Sequence, residues 1–599
     1  MTSEIALVLL ILCVAIVLFA SERIRVDVIS MMVLLTLLFT GLLTIEEAFS
    51  GFSSPAVITV WAIYIVSAGL MYTGIADFLG RRIMKVSGTE EWRLIMVIMV
   101  TVGVMSAFMN NIGATAVLLP AVIAIGREVN IPASKLLIPL AFGSLLGGVT
   151  TLIGTPPNLL VSQALGAAGY EPFSLFDYTP MGLIIMTSSI AYMVLIGRHL
   201  LPDRQSEEDE DLVQEYHLRD YMTEFKVLPD SPLVGLTLVE TRLGEEHGLN
   251  VVGIVRDERV RVGIMPDEQI KSDDLLLVTG ALEKILAPEE SLGVAINPDF
   301  QLEDTDLKSP ESTIGEIVVS QKADFIGQTL EEINFRKRFN LTVLAMWHQE
   351  TAIVDRIGHA PIRLGDTLLV HGRREQLQSL RQVPDFLVLG PVSAAINTES
   401  RRTNKAPYAI AIFLLMIGLV TTGTVHIAAA SVLAAILMVL TGCLNMDEAY
   451  RSIEWQSVFL IAGMLPMGIA MANTGTAEYL SDMIIGLVGG YGPQAIMIGL
   501  FILTTLITEF MSNAAAAVLV APIAISSAVQ LGIAPHAFVM GVGIAASNSF
   551  LFPIGHQASV LVYGPGNYRF FDYTKVGLPL TLLIWVLLII FLPIFWPFY

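Results

Sequence analysis

Hydrophobic residues run through this chain in long blocks, unlike the alternation of a half-buried strand or the single stripe of a surface helix. Blocks lie near 5–20, 27–44, 55–73, 94–127, 136–165 and 179–199, and again near 408–424, 426–444, 456–472, 482–530, 536–563 and 576–598. Most approach the roughly 20 apolar residues that carry a helix across a bilayer. Two, 94–127 and 482–530, are too long for one helix and are broken near the middle by polar residues. Each broken block is either two spans or a re-entrant hairpin; counted as a hairpin, it leaves five spans in each half of the chain. Between about Leu201 and Lys405 the pattern changes to short β-branched runs separated by charged turns, which predicts an α/β insert.

The two sets of blocks are copies offset by 401 residues. Thr40-Gly41 recurs as Thr441-Gly442, Glu47-Ala48 as Glu448-Ala449, Thr73-Gly74 as Thr474-Gly475, and Asp77 is echoed by Glu478. The register then slips by one, so that Asn111 answers to Asn513 and Pro120 to Pro522. An odd number of spans per copy inserts the second copy upside down, so the expectation is a polytopic α-helical membrane protein of two inverted repeats, each with five transmembrane helices and one re-entrant hairpin. Internal membrane repeats are the mark of secondary transporters, whose site lies where the repeats meet. Loop charge agrees. The loops holding Arg23 and Arg25, Arg81, Arg82 and Lys85, Arg127 and Lys135, and Arg198 and Arg204 are basic, as are those with Arg401, Arg402 and Lys405, and Arg569 and Lys575. Thr44–Ser54, Gly166–Tyr178 and Asn473–Asp482 hold acids and no Lys or Arg. The basic loops and the insert are therefore expected in the cytoplasm, with both termini outside and the plasma (inner) membrane as the location.

Composition narrows the class. A mean hydropathy of +0.68, with 54% hydrophobic and 15% charged residues, excludes a soluble enzyme. The net charge of −21 says little about a ligand, because most acids fall between Asp203 and Glu399, and Glu207–Asp211 reads as a solvated linker. Cys13 and Cys443 suggest neither a disulfide framework nor a zinc site. The first block lacks the basic start of a secretory signal and is expected to stay as a helix.

The insert repeats as well, at an offset of 92: Gly235 to Gly327, Leu249 to Leu341, Asp274 to Asp366, Gly280 to Gly372. Each copy predicts a helix-like stretch (Leu238–His247; Leu330–Phe339), a strand (Val251–Val255; Thr342–Met346) and a last strand after a turn (Leu275–Thr279; Thr367–His371). The expected units are membrane repeat 1 over 1–200, insert modules over 201–300 and 301–405, and membrane repeat 2 over 406–599. No phosphate-cradling glycine motif precedes the modules, which argues against an ATP-driven pump.

Polar residues inside apolar blocks mark a membrane site, since unsatisfied polar groups in lipid are costly. Four clusters stand in paired positions. Ser106, Asn110, Asn111 and Thr115 answer to Thr508, Ser512, Asn513 and Ala517, with Glu509 beside Thr508 in the second copy, at the expected hairpin tips. Gly154-Thr155-Pro156-Pro157-Asn158 answers to Gly555-His556-Gln557-Ala558-Ser559. Gly followed by paired prolines cannot continue a helix, so this segment should unwind, freeing carbonyls for a cation and N–H groups for an anion. Glu509 and His556 add a route to proton coupling.

The hairpin tips, G-T-P-P-N at 154–158 and the two halves resemble the divalent anion:sodium symporter family of the ion-transporter superfamily. The insert pattern G-x-T-L-x-E, followed by a D-x-L-L-V strand ending in Gly, resembles the TrkA-C (RCK C-terminal) family, whose modules dimerise and bind small regulatory ligands. Chains that combine the two resemble sulfate permeases. The resemblance implies an elevator mechanism, a homodimer in lipid, and sodium-coupled uptake of a divalent anion, sulfate first, with no organic cofactor and no nucleic-acid partner. It implies sodium at Ser106, Asn111 and Gly154 and at Thr508, Asn513 and Gly555. Asn110, Asn111, Thr155, Pro156, Asn158, Ser512, Asn513, His556 and Gln557 would face the anion. The chain departs from the family's Ser-Asn-Thr tips, reading Asn110-Asn111-Ile112 and Ser512-Asn513-Ala514. A dicarboxylate symporter, a proton-coupled carrier, a regulated channel and an anion sensor stand as alternatives; no T-V-G-Y-G filter supports the channel.

Overall fold

The computed structural model describes residues 2–21, 24–75, 88, 90–204, 222–237, 240–241, 243, 250–256, 259–262, 269–279, 292–297, 312–320, 323–348, 351–353, 357–380, 383, 385–389 and 402–599. Arg23, Asp77, Arg81, Arg82, Lys85, Glu207–Asp211, Leu249, Gly280, Glu399 and Arg401 lie outside the described residues, as does most of Leu238–His247.

Helices of the first half are α1 (Ser3–Ser21), α2 (Val26–Phe39), α3 (Ile45–Phe49), α4 (Pro55–Tyr72), α5 (Glu91–Ser106), α6 (Asn111–Glu128), α7 (Ala133–Gly148), α8 (Pro156–Ala167) and α9 (Thr179–Tyr192). In the second half lie α10 (Ala406–Thr421), α11 (Ile427–Leu440), α12 (Met446–Ser452), α13 (Trp455–Asn473), α14 (Thr476–Val488), α15 (Pro493–Thr508), α16 (Asn513–Gln530), α17 (His536–Ser547), α18 (Gln557–Tyr563) and α19 (Phe570–Phe595). Among the described residues seven helices are long and apolar enough to cross a membrane, for instance Ile45–Tyr72 and Phe570–Phe595, and shorter apolar helices accompany them.

Local sequence sets the boundaries. Thr44 with Glu47 and Asn445 with Glu448 each form a reciprocal cap that starts α3 and α12. Proline at the first turn opens α4, α8 and α15, where its missing N–H has no helical partner to lose. The long block 94–127 breaks at 107–110 between α5 and α6. The block 482–530 holds the end of α14 as well as the pair α15 and α16, so Asn473–Asp482, read as a loop, already contains the start of α14, with Glu478 in its first turn.

Packing joins the halves. α2 lies along α13 and α4 along α11, while α8 packs on α16 and α18 on α6. Ser30 Oγ in α2 lies 3.2 Å from the Phe459 carbonyl oxygen in α13. One buried apolar core runs through both halves. Loops gather in two sets. Arg204 pairs with Asp572 at 2.7 Å and with the Asn567 carbonyl, Lys135 Nζ reaches the Arg198 and Leu201 carbonyls at 3.2 and 3.1 Å, and Tyr568 OH donates to Ser134 O at 2.8 Å. Elsewhere Asn473 Nδ2 donates to Glu47 Oε1 at 3.1 Å, and His536 Nε2 lies 3.1 Å from Glu171 O.

The insert holds two five-stranded antiparallel sheets. The first comprises β1 (Met222–Val227), β2 (Asn250–Arg256), β3 (Arg259–Val262), β4 (Leu275–Thr279) and β5 (Val294–Asn297), in the order β3-β2-β4-β1-β5. The second comprises β6 (Ser312–Val319), β7 (Thr342–His348), β8 (Thr351–Ile353), β9 (Thr367–Arg373) and β10 (Phe386–Leu389), in the equivalent order β8-β7-β9-β6-β10. Even the register irregularities match, at Val251/Gly253 and Val343/Ala345. The expected helix over Leu330–Phe339 is shorter, spanning only Phe335–Phe339, because Asn334 adopts a left-handed conformation that interrupts it.

Candidate functional site

Both hairpin tips place an asparagine at the start of a helix. Asn110 Oδ1 accepts from Ile112 N at 3.1 Å and so caps α6, while Ser512 occupies the same post before α16 without a side-chain cap. Behind each tip stands the hydroxyl that the repeat predicted. Ser106 Oγ donates to Asn111 Oδ1 at 2.6 Å, and Thr508 Oγ1 lies 2.9 Å from Asn513 Oδ1 and 2.8 Å from Ala546 O.

The two unwound segments lie against these tips. After α7 the chain turns through Gly148–Thr155, and a Cβ on Gly148 would stand 2.7 Å from Asn111 Oδ1. Gly154 is as tightly placed, since its Cβ would meet Gly148 O at 2.4 Å. Thr151 Oγ1 donates to the Ala107 carbonyl at the tip and accepts from Gly154 N at 3.1 Å. In the second half Ser549 Oγ does the joining, at 3.3 Å from Asn513 Oδ1 and 3.2 Å from Gly555 O. Thr155 and His556 then start α8 and α18 from nearly the same extended backbone (φ −145°, ψ 141° and φ −148°, ψ 139°). His556 Nδ1 accepts from Ala558 N at 3.0 Å, which fixes the ring as a helix cap.

These four helix starts open on one cavity of about 1380 Å³. Asn110, Asn111, Gly154, Thr155, Pro156, Ser512, Asn513, Gly555, His556 and Gln557 all line it. Ser106 and Thr508 are buried behind the asparagines, and Asn158 stands apart. Its Nδ2 donates to Thr151 O at 2.9 Å, so Asn158 holds the unwound segment rather than facing the cavity as expected. Asn513 Nδ2 and Gln557 Oε1 are buried with no hydrogen-bond partner among the described residues. Both residues line the cavity, so a group that the site takes in can satisfy these atoms.

Glu509 is 1% exposed, and its two oxygens accept from Leu551 N at 3.0 Å and Phe552 N at 3.1 Å, so it braces the second unwound segment. Glu454 also faces the cavity, accepting from Tyr64 OH at 2.9 Å and lying 3.4 Å from Asn110 Nδ2. Sequence reading missed Ser549, Glu454 and Tyr64. Ser549 had a signal, in the run Ser547-Asn548-Ser549 inside an apolar block; Tyr64 and Glu454 meet only through the fold.

The donors around each tip are oxygens throughout: hydroxyl, amide and backbone carbonyl. Thr508 Oγ1 and Ser549 Oγ flank Asn513 Oδ1, and Ser549 Oγ also reaches Gly555 O, a set of hard oxygen donors that suits a small cation. The cavity, by contrast, receives the positive ends of α6, α8, α16 and α18, which favour an anion.

Comparison with known proteins identifies the family. The citrate transporter (CitMHS) family model matches residues 16–545. The uncharacterized transporter YfbS of Escherichia coli (strain K12) is 34% identical over 614 residues, covering 100% of both chains. The uncharacterized transporter sll0640 of Synechocystis sp. is 34% identical over 587 residues, covering 97% of this chain and 95% of that one. Sodium/sulfate cotransporter 1 of Chlamydomonas reinhardtii is 22% identical over 756 residues, covering 92% and 84%. A cavity that gathers helix starts from both halves of an apolar helical chain, together with a family match across most of its length, places this chain in the citrate transporter family of the ion-transporter superfamily.

Proposed function

We propose that the protein is a sodium-coupled secondary transporter that imports a divalent anion, sulfate first. The observation that carries this reading is the convergence of four helix N-termini on one cavity, with the orphan Asn513 Nδ2 and Gln557 Oε1 beside them and all-oxygen donor sets behind the tips. Asn110, Asn111, Thr155, Pro156, Ser512, Asn513, His556 and Gln557 contact the anion. Ser106, Asn111 and the Gly154 segment hold one sodium ion, and Thr508, Asn513, Ser549 and Gly555 the other. The named sodium/sulfate cotransporter relative favours sulfate over the other anions. The family's name keeps a tricarboxylate or dicarboxylate as the second reading.

The exchanged pairs α2 with α13 and α4 with α11, and α8 with α16 and α18 with α6, support an inverted repeat with domains at 1–200 and 406–599. The gathering of the basic loops in one set supports a cytoplasmic insert and external termini in the plasma membrane. The matching strand orders support two TrkA-C-like modules, at 201–300 and 301–405, which carry a small ligand and the homodimer contact. Transport proceeds as an elevator, α5–α9 and α15–α19 moving against the helices that precede them in each half.

Uptake of radiolabelled sulfate into proteoliposomes, with and without an inward sodium gradient, tests the reading. Sodium-dependent uptake blocked by molybdate but not by succinate or citrate is expected. Uptake of citrate or succinate instead moves the protein to the second reading, and transport driven equally by protons removes sodium.

A further inference from the structure

The wall of the cavity is not made by membrane helices alone. The turn Arg363–Asp366, which leads into β9, enters it together with Trp347 and His348 at the end of β7. This turn is braced from within: Asp366 Oδ2 accepts from Arg363 N at 2.8 Å, and Asp366 Oδ1 lies 2.8 Å from His348 Nδ1. Gly365 sits against α18, where a Cβ would stand 2.7 Å from the Val560 carbonyl oxygen. Gly564, just past the end of α18, faces it, and a Cβ there would meet Thr367 Oγ1 at 2.9 Å and Gly365 O at 3.0 Å.

The first sheet serves as an internal comparison. Its turn Lys271–Asp274 has the same brace, Asp274 Oδ2 accepting from Lys271 N at 2.7 Å, but carries Asp273 where the second has Gly365. Both positions are left-handed, with φ of 65° and 82°. Aspartate tolerates that backbone, so the turn itself does not call for glycine. Asp273 stands in the open, its side chain 66% exposed and 3.4 Å from Lys226. Gly564 has an ordinary φ of −62°. The contact between the second sheet and α18 therefore accounts for both glycines. The same sheet also rests β10 on α6, with Leu387 and Val318 joining the membrane core. It thus lies on two of the four helices whose starts form the site. Thr367 Oγ1 is buried at the seam without a hydrogen-bond partner among the described residues, a deficit that opening of the seam to water relieves.

We propose that the second sheet is a lid on the insert side of the cavity, seated by backbone contact between Gly365 and Val560–Gly564, and that it must lift for cargo to pass. What passes beneath it rests on the transport reading; the lid itself does not.

The pair Thr367→Cys with Gly564→Cys tests the seat, because the 2.9 Å spacing from the Gly564 Cβ position to Thr367 Oγ1 matches the reach across a disulfide. In full-length protein with Cys13 and Cys443 replaced by Ser, diamide should link the pair, read as a joined peptide by mass spectrometry. Sulfate uptake should then fall about tenfold or more and return with dithiothreitol. A second variant, Gly365→Asp, copies the first sheet's turn and should unseat the lid without unfolding it. With Ser512→Cys as a reporter in the cavity, it should speed labelling by a membrane-impermeant maleimide about fivefold or more from the insert side. Linkage that leaves uptake unchanged, or Gly365→Asp labelling no faster than in its parent, overturns the lid; where the pair does not link, the Gly365→Asp labelling decides. A protein that carries no sulfate yet shows these labelling changes overturns the cargo and keeps the lid.

Discussion

Asn111 and Asn513 hold equivalent posts but are not equally satisfied. Asn111 Oδ1 is the acceptor for Ser106 Oγ, whereas the hydroxyls on Asn513 Oδ1 each have a second acceptor, Ala546 O for Thr508 and Gly555 O for Ser549, and Asn513 Nδ2 has no protein partner among the described residues. Asn513→Ala should therefore reduce sulfate uptake about 100-fold or more with little loss of thermal stability. Asn111→Ala should abolish uptake and also lower the melting temperature, since it strips a buried hydroxyl of its acceptor. Normal uptake by both variants removes the proposed site. Asn158→Ala offers a contrast: it leaves the Thr151 carbonyl unpaired, costing about 1–3 kcal/mol of stability, while apparent affinity for the anion in the remaining folded protein stays near that of the parent. Polar residues within apolar blocks were legible at this scale because lipid makes each of them costly. Their division between holding the fold and facing the cavity was not, because Asn158 and Asn111 look alike until the direction of the side chain is known. Glu454 and Tyr64, 390 positions apart, were beyond reach for the same reason.

Among the elements, the breaks are as informative as the helices. A helix that ended at Gly148 and restarted at Pro156 by kinking alone would not need Gly154 pressed against Gly148 O. Gly154→Ala should push the unwound segment off the tip and raise the sodium concentration needed for half-maximal uptake about tenfold or more, with a smaller effect on the anion. In the insert, burial and the neighbouring Asp324 push the Asp385 carboxyl up, opposed by Arg338. A raised carboxyl binds its proton more tightly in the folded state, so stability falls as pH rises from the usual aspartate range through that raised value. Asp385→Asn should accordingly slow hydrogen exchange across β6 and β10 at neutral pH, and the gain should vanish near pH 4. Strands were read closely from their β-branched runs, with Leu275–Thr279 found as expected. Helix ends in the insert were read less well, because left-handed residues such as Asn334 cut a pattern that periodicity alone would continue.

At the scale of the whole molecule, repeats, loop charge and an α/β centre were visible in the linear pattern because each reflects composition over tens of residues. What stayed hidden is how distant parts touch. Gly365 and Gly564 carry no signal in the linear pattern, and only their meeting shows why neither carries a side chain. Coupling should appear at this scale too: with inside and outside sodium equal, sulfate accumulation in proteoliposomes should collapse to simple equilibration even when every site residue is intact.

The exchanged packing of the halves, α2 along α13 and α4 along α11, bears on how such a chain is made. When the ribosome has finished α9, the partners of α2 and α4 have not been synthesised, and the insert must come first. At about 5–20 residues per second, that leaves the first half waiting roughly 12 to 55 s in the bilayer with its future interfaces facing lipid. Ser30, Tyr64 and Asn110 then wait without Phe459 O and Glu454, the partners that the second half brings. Biogenesis should therefore depend on an insertase that shelters the early helices, and a chain stopped after Leu200 should be degraded, whereas the two halves supplied together as separate chains should rescue each other.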